Sequence, residues 1–155
     1  MGMDVFGKAP RSEKGAYFRN NVWYWHPLWQ YCEEIAPDIA GLVEYGHSND
    51  GDGLDDANAV ELAQRLQAAL EAGATARYAA ERKAALDSLP DELCSVCGGT
   101  GSRREPPQVG PGHIPCNSCN GTGKKRPFVT HYPFDVANVQ EFVEFLRDCG
   151  GFAIC

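Results

Sequence analysis

Cys94-Ser-Val-Cys97-Gly-Gly-Thr-Gly101 and Cys116-Asn-Ser-Cys119-Asn-Gly-Thr-Gly123 are two copies of one pattern, CxxCxGTG, with 18 residues between the cysteine pairs. A CxxC turn points two thiolates at one metal, and two such turns complete the tetrahedral four-sulfur shell that structural zinc prefers. The spacing therefore predicts one structural Zn2+ per chain, held by Cys94, Cys97, Cys116 and Cys119. Four thiolates leave no open coordination position, which argues against catalytic zinc. Four buried thiols in a reduced protein, or a redox CxxC, are the competing readings. The second needs a strand-to-helix setting that these glycine-rich flanks do not provide. Glycine is required in each copy because the chain must turn back tightly while its amides aim at the sulfurs.

The pattern CxxCxGxG resembles the cysteine-rich zinc region of DnaJ-type co-chaperones, and both copies here match it in full over residues 94–123. That family's region carries four repeats and two zincs, with non-adjacent repeats sharing a metal; two repeats here supply one zinc. Those proteins also carry a J domain with a His-Pro-Asp loop, whereas the His-Pro of this chain is His26-Pro27-Leu28. The resemblance implies a zinc-stabilised pair of hairpins used to contact proteins, and in some users of the repeat peptides or nucleic acid. The flanks GMDVFGKAP, YFRNNVWYWHPL and FLRDCGGFAIC are similar to small bacterial and phage proteins, a likeness that brings no activity with it.

Composition changes at both ends of the repeats. Residues 94–126 are rich in Gly, Pro, Cys and basic side chains, and they read as a module inserted into a core made of residues 1–93 and 127–155. Upstream, Ala57 to Leu89 is rich in Ala, Leu, Glu, Arg and Gln, with Leu62, Leu66, Ala69 and Leu70 on one stripe, so a long helix is expected, divided at Gly73 and closed by Pro90. Asp55 or Asp56 is placed to cap it. Further upstream, Trp23, Tyr24, Trp25, Trp29 and Tyr31 crowd into nine residues. Pro27 suits the first position of a helix whose Leu28, Cys32 and Ile35 share a face, with a stop or kink at Pro37 and more helix through Ile39, Leu42 and Val43. The cluster reads as core; as a recognition surface it would expose Trp23 and Trp25. Downstream, Val139, Phe142, Val143, Leu146 and Cys149 define a last helix, capped by Asp135 or by Asn138 with Glu141. Residues 1–21 read as an irregular or edge-strand entry segment containing a short strand at 3–6. The final FAIC is expected to pair with it. The fold class is α+β: mostly helical, with a short terminal sheet and the inserted four-cysteine zinc hairpin module.

The chain has 155 residues, 43% of them hydrophobic, which suits one compact domain or two very small ones. No run approaches the ~18–20 apolar residues of a membrane span, and the opening segment lacks a signal-peptide core, so a cytoplasmic protein without membrane contact is expected. In a reducing compartment seven cysteines favour metal over disulfides. Cys32, Cys149 and Cys155 show no metal spacing. A net charge of −7 argues against a basic nucleic-acid-coating surface. Arg103, Arg104, Lys124, Lys125 and Arg126 nonetheless form a local basic set against the single acid Glu105 between residues 94 and 130. Two functions follow: an adaptor or inhibitor that binds another protein, phage-derived and acting on a host complex if the flank likeness holds, or a nucleic-acid-binding zinc knuckle using the turn 124–126. A third idea is that the acidic segment 51–93 mimics nucleic-acid phosphates and blocks a defence complex. The segment 48–53 lacks the glutamate that would close a calcium loop, and no nucleophile elbow, phosphate loop or HExxH is present, so no enzyme is expected.

Overall fold

The computed structural model describes residues 2–155, which form two compact units: residues 2–83 with 132–155, and residues 84–131. The first unit opens with strand β1 (Gly2–Gly7), a single turn of helix α1 (Glu13–Ala16) and strand β2 (Tyr17–Asn21). Helices α2 (Val22–Ile35), α3 (Pro37–Ala40) and α4 (Asp56–Glu71) follow, and α5 (Ala74–Ser88) leads into the second unit. That unit holds four two-residue strands, β3 (Glu92–Leu93), β4 (Ser102–Arg103), β5 (Ile114–Pro115) and β6 (Lys124–Lys125), and a 3-10 turn at Phe128–His131. Helix α6 (Val136–Asp148) and strand β7 (Phe152–Ile154) return to the first unit. The chain is thus α+β, with small sheets and the four cysteines in a hairpin module between α5 and α6.

The terminal sheet forms as the C-terminal strand pattern predicts, in the order β2-β1-β7, antiparallel throughout. The entry segment is its middle strand, not an edge. Val5 stands opposite both Phe18 and Ile154, so alternate residues of all three strands line one inner face. The outer edge of β7 is covered by the loop before α4: the Gly51 amide donates to the Ile154 carbonyl at 2.7 Å, and the Ile154 amide donates to Asp52 at 2.8 Å. On the inner face lies an aromatic core. The Phe142 ring sits 5.0 Å from Phe18, 5.6 Å from Trp25 and 6.3 Å from Phe152, and Leu62 and Leu66 of α4 close the core beside it. Asn20, the polar residue on the buried side of β2, donates to Asn138 Oδ1 at 2.6 Å and so enters the core satisfied.

Helix boundaries follow from side chains that replace missing backbone partners. Asp55 accepts from the Asn58 amide and starts α4, and Asp135 accepts from Ala137 and starts α6. Gly73 divides α4 from α5, as expected. The start of α2 differs from the sequence reading: it begins at Val22, where Asn21 Oδ1 accepts from both Trp23 and Tyr24, and Pro27 is buried inside the helix. The helix after Pro37 is a single turn; Ile39 and Val43 are buried but Leu42 is exposed. A three-ring cluster holds the start of α5, with Tyr31, Tyr78 and Phe134 at centroid distances of 4.7 to 5.1 Å and Tyr31 Oη paired with the buried Thr75 hydroxyl at 2.9 Å.

Candidate metal centre

The two repeats fold as near copies related by a shift of 22 residues. The Cys94 amide donates to the Gly123 carbonyl and the Cys116 amide to Gly101, both at 2.9 Å. The Gly99 amide returns to Cys94 and that of Gly121 to Cys116, and the Thr100 and Thr122 hydroxyls donate to the carbonyls of Cys97 and Cys119. Strand pairing obeys the same relation: Glu92 faces Lys125 as Ile114 faces Arg103. Each knuckle therefore completes the other, and sequence identity between the repeats becomes an approximate two-fold axis.

Glycine is indispensable at the crossing. Gly101 and Gly123 adopt φ of +80° and +76°, in the left-handed region, and a Cβ on either would lie 2.3 or 2.2 Å from the Gly121 or Gly99 carbonyl oxygen of the other knuckle. The close approach serves the sulfurs: the Gly101 amide donates to Cys97 Sγ at 3.3 Å and the Gly123 amide to Cys119 Sγ at 3.2 Å. Donors of this kind stabilise metal-bound thiolates.

The four sulfurs lie within 4.8 Å of one another and are buried, with residue exposures of 0 to 6%. Cys94 Sγ is 3.9 Å from Cys116 Sγ, and Cys97 Sγ is 3.8 Å from Cys119 Sγ. Tetrahedral coordination with Zn–S bonds of 2.3 Å separates sulfurs by about 3.8 Å, so this donor set fits one zinc. Desolvation acts to raise the thiols of Cys94, Cys116 and Cys119. At Cys94 the amides of Cys97 and Val96, with the neighbouring thiols, outweigh it and hold the group down at about 6. At Cys119 the Gly123 amide and two neighbouring thiols do the same, whereas at Cys116 desolvation prevails and the thiol is pushed up. A metal takes the thiolate form, which the amide donors at Cys94 and Cys119 favour.

The other three cysteines stand apart. Cys32 and Cys149 are buried on the inner faces of α2 and α6, where burial pushes the first thiol far up and the second to about 11. Only Cys155 is exposed. In the zinc-loaded protein, one of the seven thiols should react with iodoacetamide at pH 7.5, and all seven after chelation in denaturant; intact-mass measurement counts the adducts. Early modification of Cys94 or Cys119 with zinc present would contradict the closed shell.

The basic residues singled out in the sequence are mostly engaged within their own unit. Arg103 reaches Asn117 Oδ1 at 3.0 Å and the carbonyls of Arg104 and Gln108, and Arg104 donates to the Pro111 carbonyl at 3.3 Å. Arg126 donates to the Leu86 and Leu89 carbonyls at 2.7 and 2.6 Å and to Asp91 at 3.1 Å, so it finishes the end of α5 instead of extending a phosphate-binding turn. Lys125 donates to Ser118, and Lys124 is exposed on β6. His113 is exposed and faces Glu105 at 3.9 Å, outside the cluster. Of the two candidate tryptophans, Trp25 is fully buried and so is core, not contact surface; Trp23 is half-buried with its ring 4.9 Å from Tyr132. The segment 51–93 uses several acids locally: Asp55 caps α4, Asp56 pairs with Arg11, Glu61 with Arg65 and Asp91 with Arg126. What the sequence reading passed over is apolar: Leu93 is 70% exposed and Val109 63% exposed, both in the metal unit. Among the described residues no helix is long and apolar enough to cross a membrane. Comparison with models of known families, with curated proteins and with solved structures returns no match, so the likeness to DnaJ-type repeats stands on the sequence motif at 94–123 alone.

Proposed function

We propose that this chain is a cytoplasmic, non-enzymatic zinc protein, an adaptor or inhibitor that contacts another protein through residues 84–131. The observation that carries the reading is the pairing of a closed four-sulfur shell with exposed Leu93 and Val109 on the same unit. A shell without an open position gives zinc a structural task, and exposed apolar side chains on a metal-fixed hairpin pair suit contact with protein. Nucleic-acid binding has weaker support, because Arg103, Arg104 and Arg126 are turned to carbonyls of their own unit.

Capture from a nuclease-treated host lysate tests this. The zinc-loaded chain should retain a defined protein partner, the double variant Leu93→Ser with Val109→Ser should lose it, and Lys124→Ala with Lys125→Ala should keep it. Recovery that vanishes with nuclease, together with salt-sensitive oligonucleotide binding abolished by the lysine variants, would instead make the basic turn the working end.

A further inference from the structure

His26 and His47 lie 21 residues apart in sequence yet place their Nδ1 atoms 2.9 Å from each other. Both are fixed from behind. His26 stands on α2, beside the buried Pro27. His47 follows Gly46, whose carbonyl accepts from Trp25 Nε1 at 2.8 Å and whose Cα rests on the indole of Trp29, where a Cβ would come within 2.0 Å of Nε1. The core tryptophans of α2 thereby position the loop that carries the second histidine against the helix that carries the first. On the far side of His47, Glu33 Oε1 faces Nε2 at 3.5 Å. A carboxylate there favours a proton on Nε2 and leaves the Nδ1 lone pair free, the arrangement in which carboxylates orient metal-binding histidines.

Two imidazole nitrogens bound to one ion at about 2.0–2.1 Å in adjacent corners of a square or octahedron are about 2.9 Å apart, and tetragonal nitrogen–oxygen sites of this kind select Cu2+ or Ni2+. We propose that His26 and His47 form a second metal site, exchangeable and separate from the four cysteines, for a divalent ion of that class. The two Nδ1 atoms are its protein ligands, water fills the remaining positions, and Glu33 orients His47 from the outer shell. On binding, His26 moves its ring proton from Nδ1 to Nε2, so both lone pairs meet the ion and no net proton is released.

Cupric ion is the probe, titrated into the untagged, zinc-loaded Cys155→Ser chain to remove the exposed thiol. Electron paramagnetic resonance should show one tetragonal copper per chain with two imidazole nitrogens, while mass spectrometry still counts one zinc. His26→Gln and His47→Gln should each abolish the signal, and Glu33→Gln should weaken binding roughly 10- to 100-fold. Copper that fails to bind, binds equally well to the His26→Gln, His47→Gln double variant, or enters with sulfur ligation and loss of zinc would overturn the proposal.

Discussion

Stripping the metal from the four-cysteine site, or replacing Cys94 or Cys119 by serine, should unfold the hairpins and leave the aromatic-core unit folded. The apolar interior of the hairpin unit amounts to the four cysteines with Val96 packed on them, and its strands are two residues long, so burial alone cannot offset the chain entropy of ordering it. Metal supplies the difference: structural zinc in small cysteine sites binds with about 10–16 kcal/mol near pH 7, comparable to the about 5–15 kcal/mol that holds an ordinary domain. The other unit has its own continuous core, from Met3 to Ile154, with no cysteine ligand in it. In a two-dimensional amide spectrum, resonances of residues 94–125 should collapse to random-coil positions after chelation, while those of β1, α4 and α6 stay in place. Acid should act as the chelator does: thiolates must be deprotonated to bind, so zinc is retained at neutral pH and released as pH falls. Dispersed 94–125 resonances in the metal-free chain would overturn this account.

The metal ligands were legible because a repeated spacing with glycines at fixed offsets encodes a local geometry, and local geometry is what sequence carries best. The same holds for Asp55 and Asp135, Gly73, and the β1–β7 pairing suggested by apolar runs at both termini. What could not be read depended on partners distant in sequence. Asn21 starts α2 because two amides reach its side chain, whereas Pro27 offered a stronger local signal and lies inside. Strand β2 exists because Phe18 and Asn20 find β1 and Asn138; its own residues, Tyr-Phe-Arg-Asn-Asn, declare nothing. Arg126 looks like one more base after two lysines, and only the end of α5 reveals it as a cap. His26 and His47 meet because the loop folds back over Trp29, a contact no local pattern announces.

Trp25→Ala should cost the first unit about 3–5 kcal/mol, the range for deleting a large buried side chain, with about 1 kcal/mol more for the Gly46 carbonyl left without its donor. The indole is fully buried, stacks on Trp29 at 5.7 Å and meets Phe142 edge-on at 5.6 Å, so no neighbour can collapse into the cavity without disturbing the core. Trp23, two residues away but about 200° around the helix, is only half-buried, with its ring 4.9 Å from Tyr132, and its removal should cost clearly less than that of Trp25. The contrast separates core from surface within a single motif. Urea unfolding followed by far-ultraviolet circular dichroism should show a large midpoint loss for Trp25→Ala and a small one for Trp23→Ala. Zinc content should stay at one per chain in both, because the four sulfurs share no core with either tryptophan. A Trp25→Ala chain of near-native stability that had lost its protein partner would reverse the assignment, since it would mean that the indole works at an interface and the core closes without it.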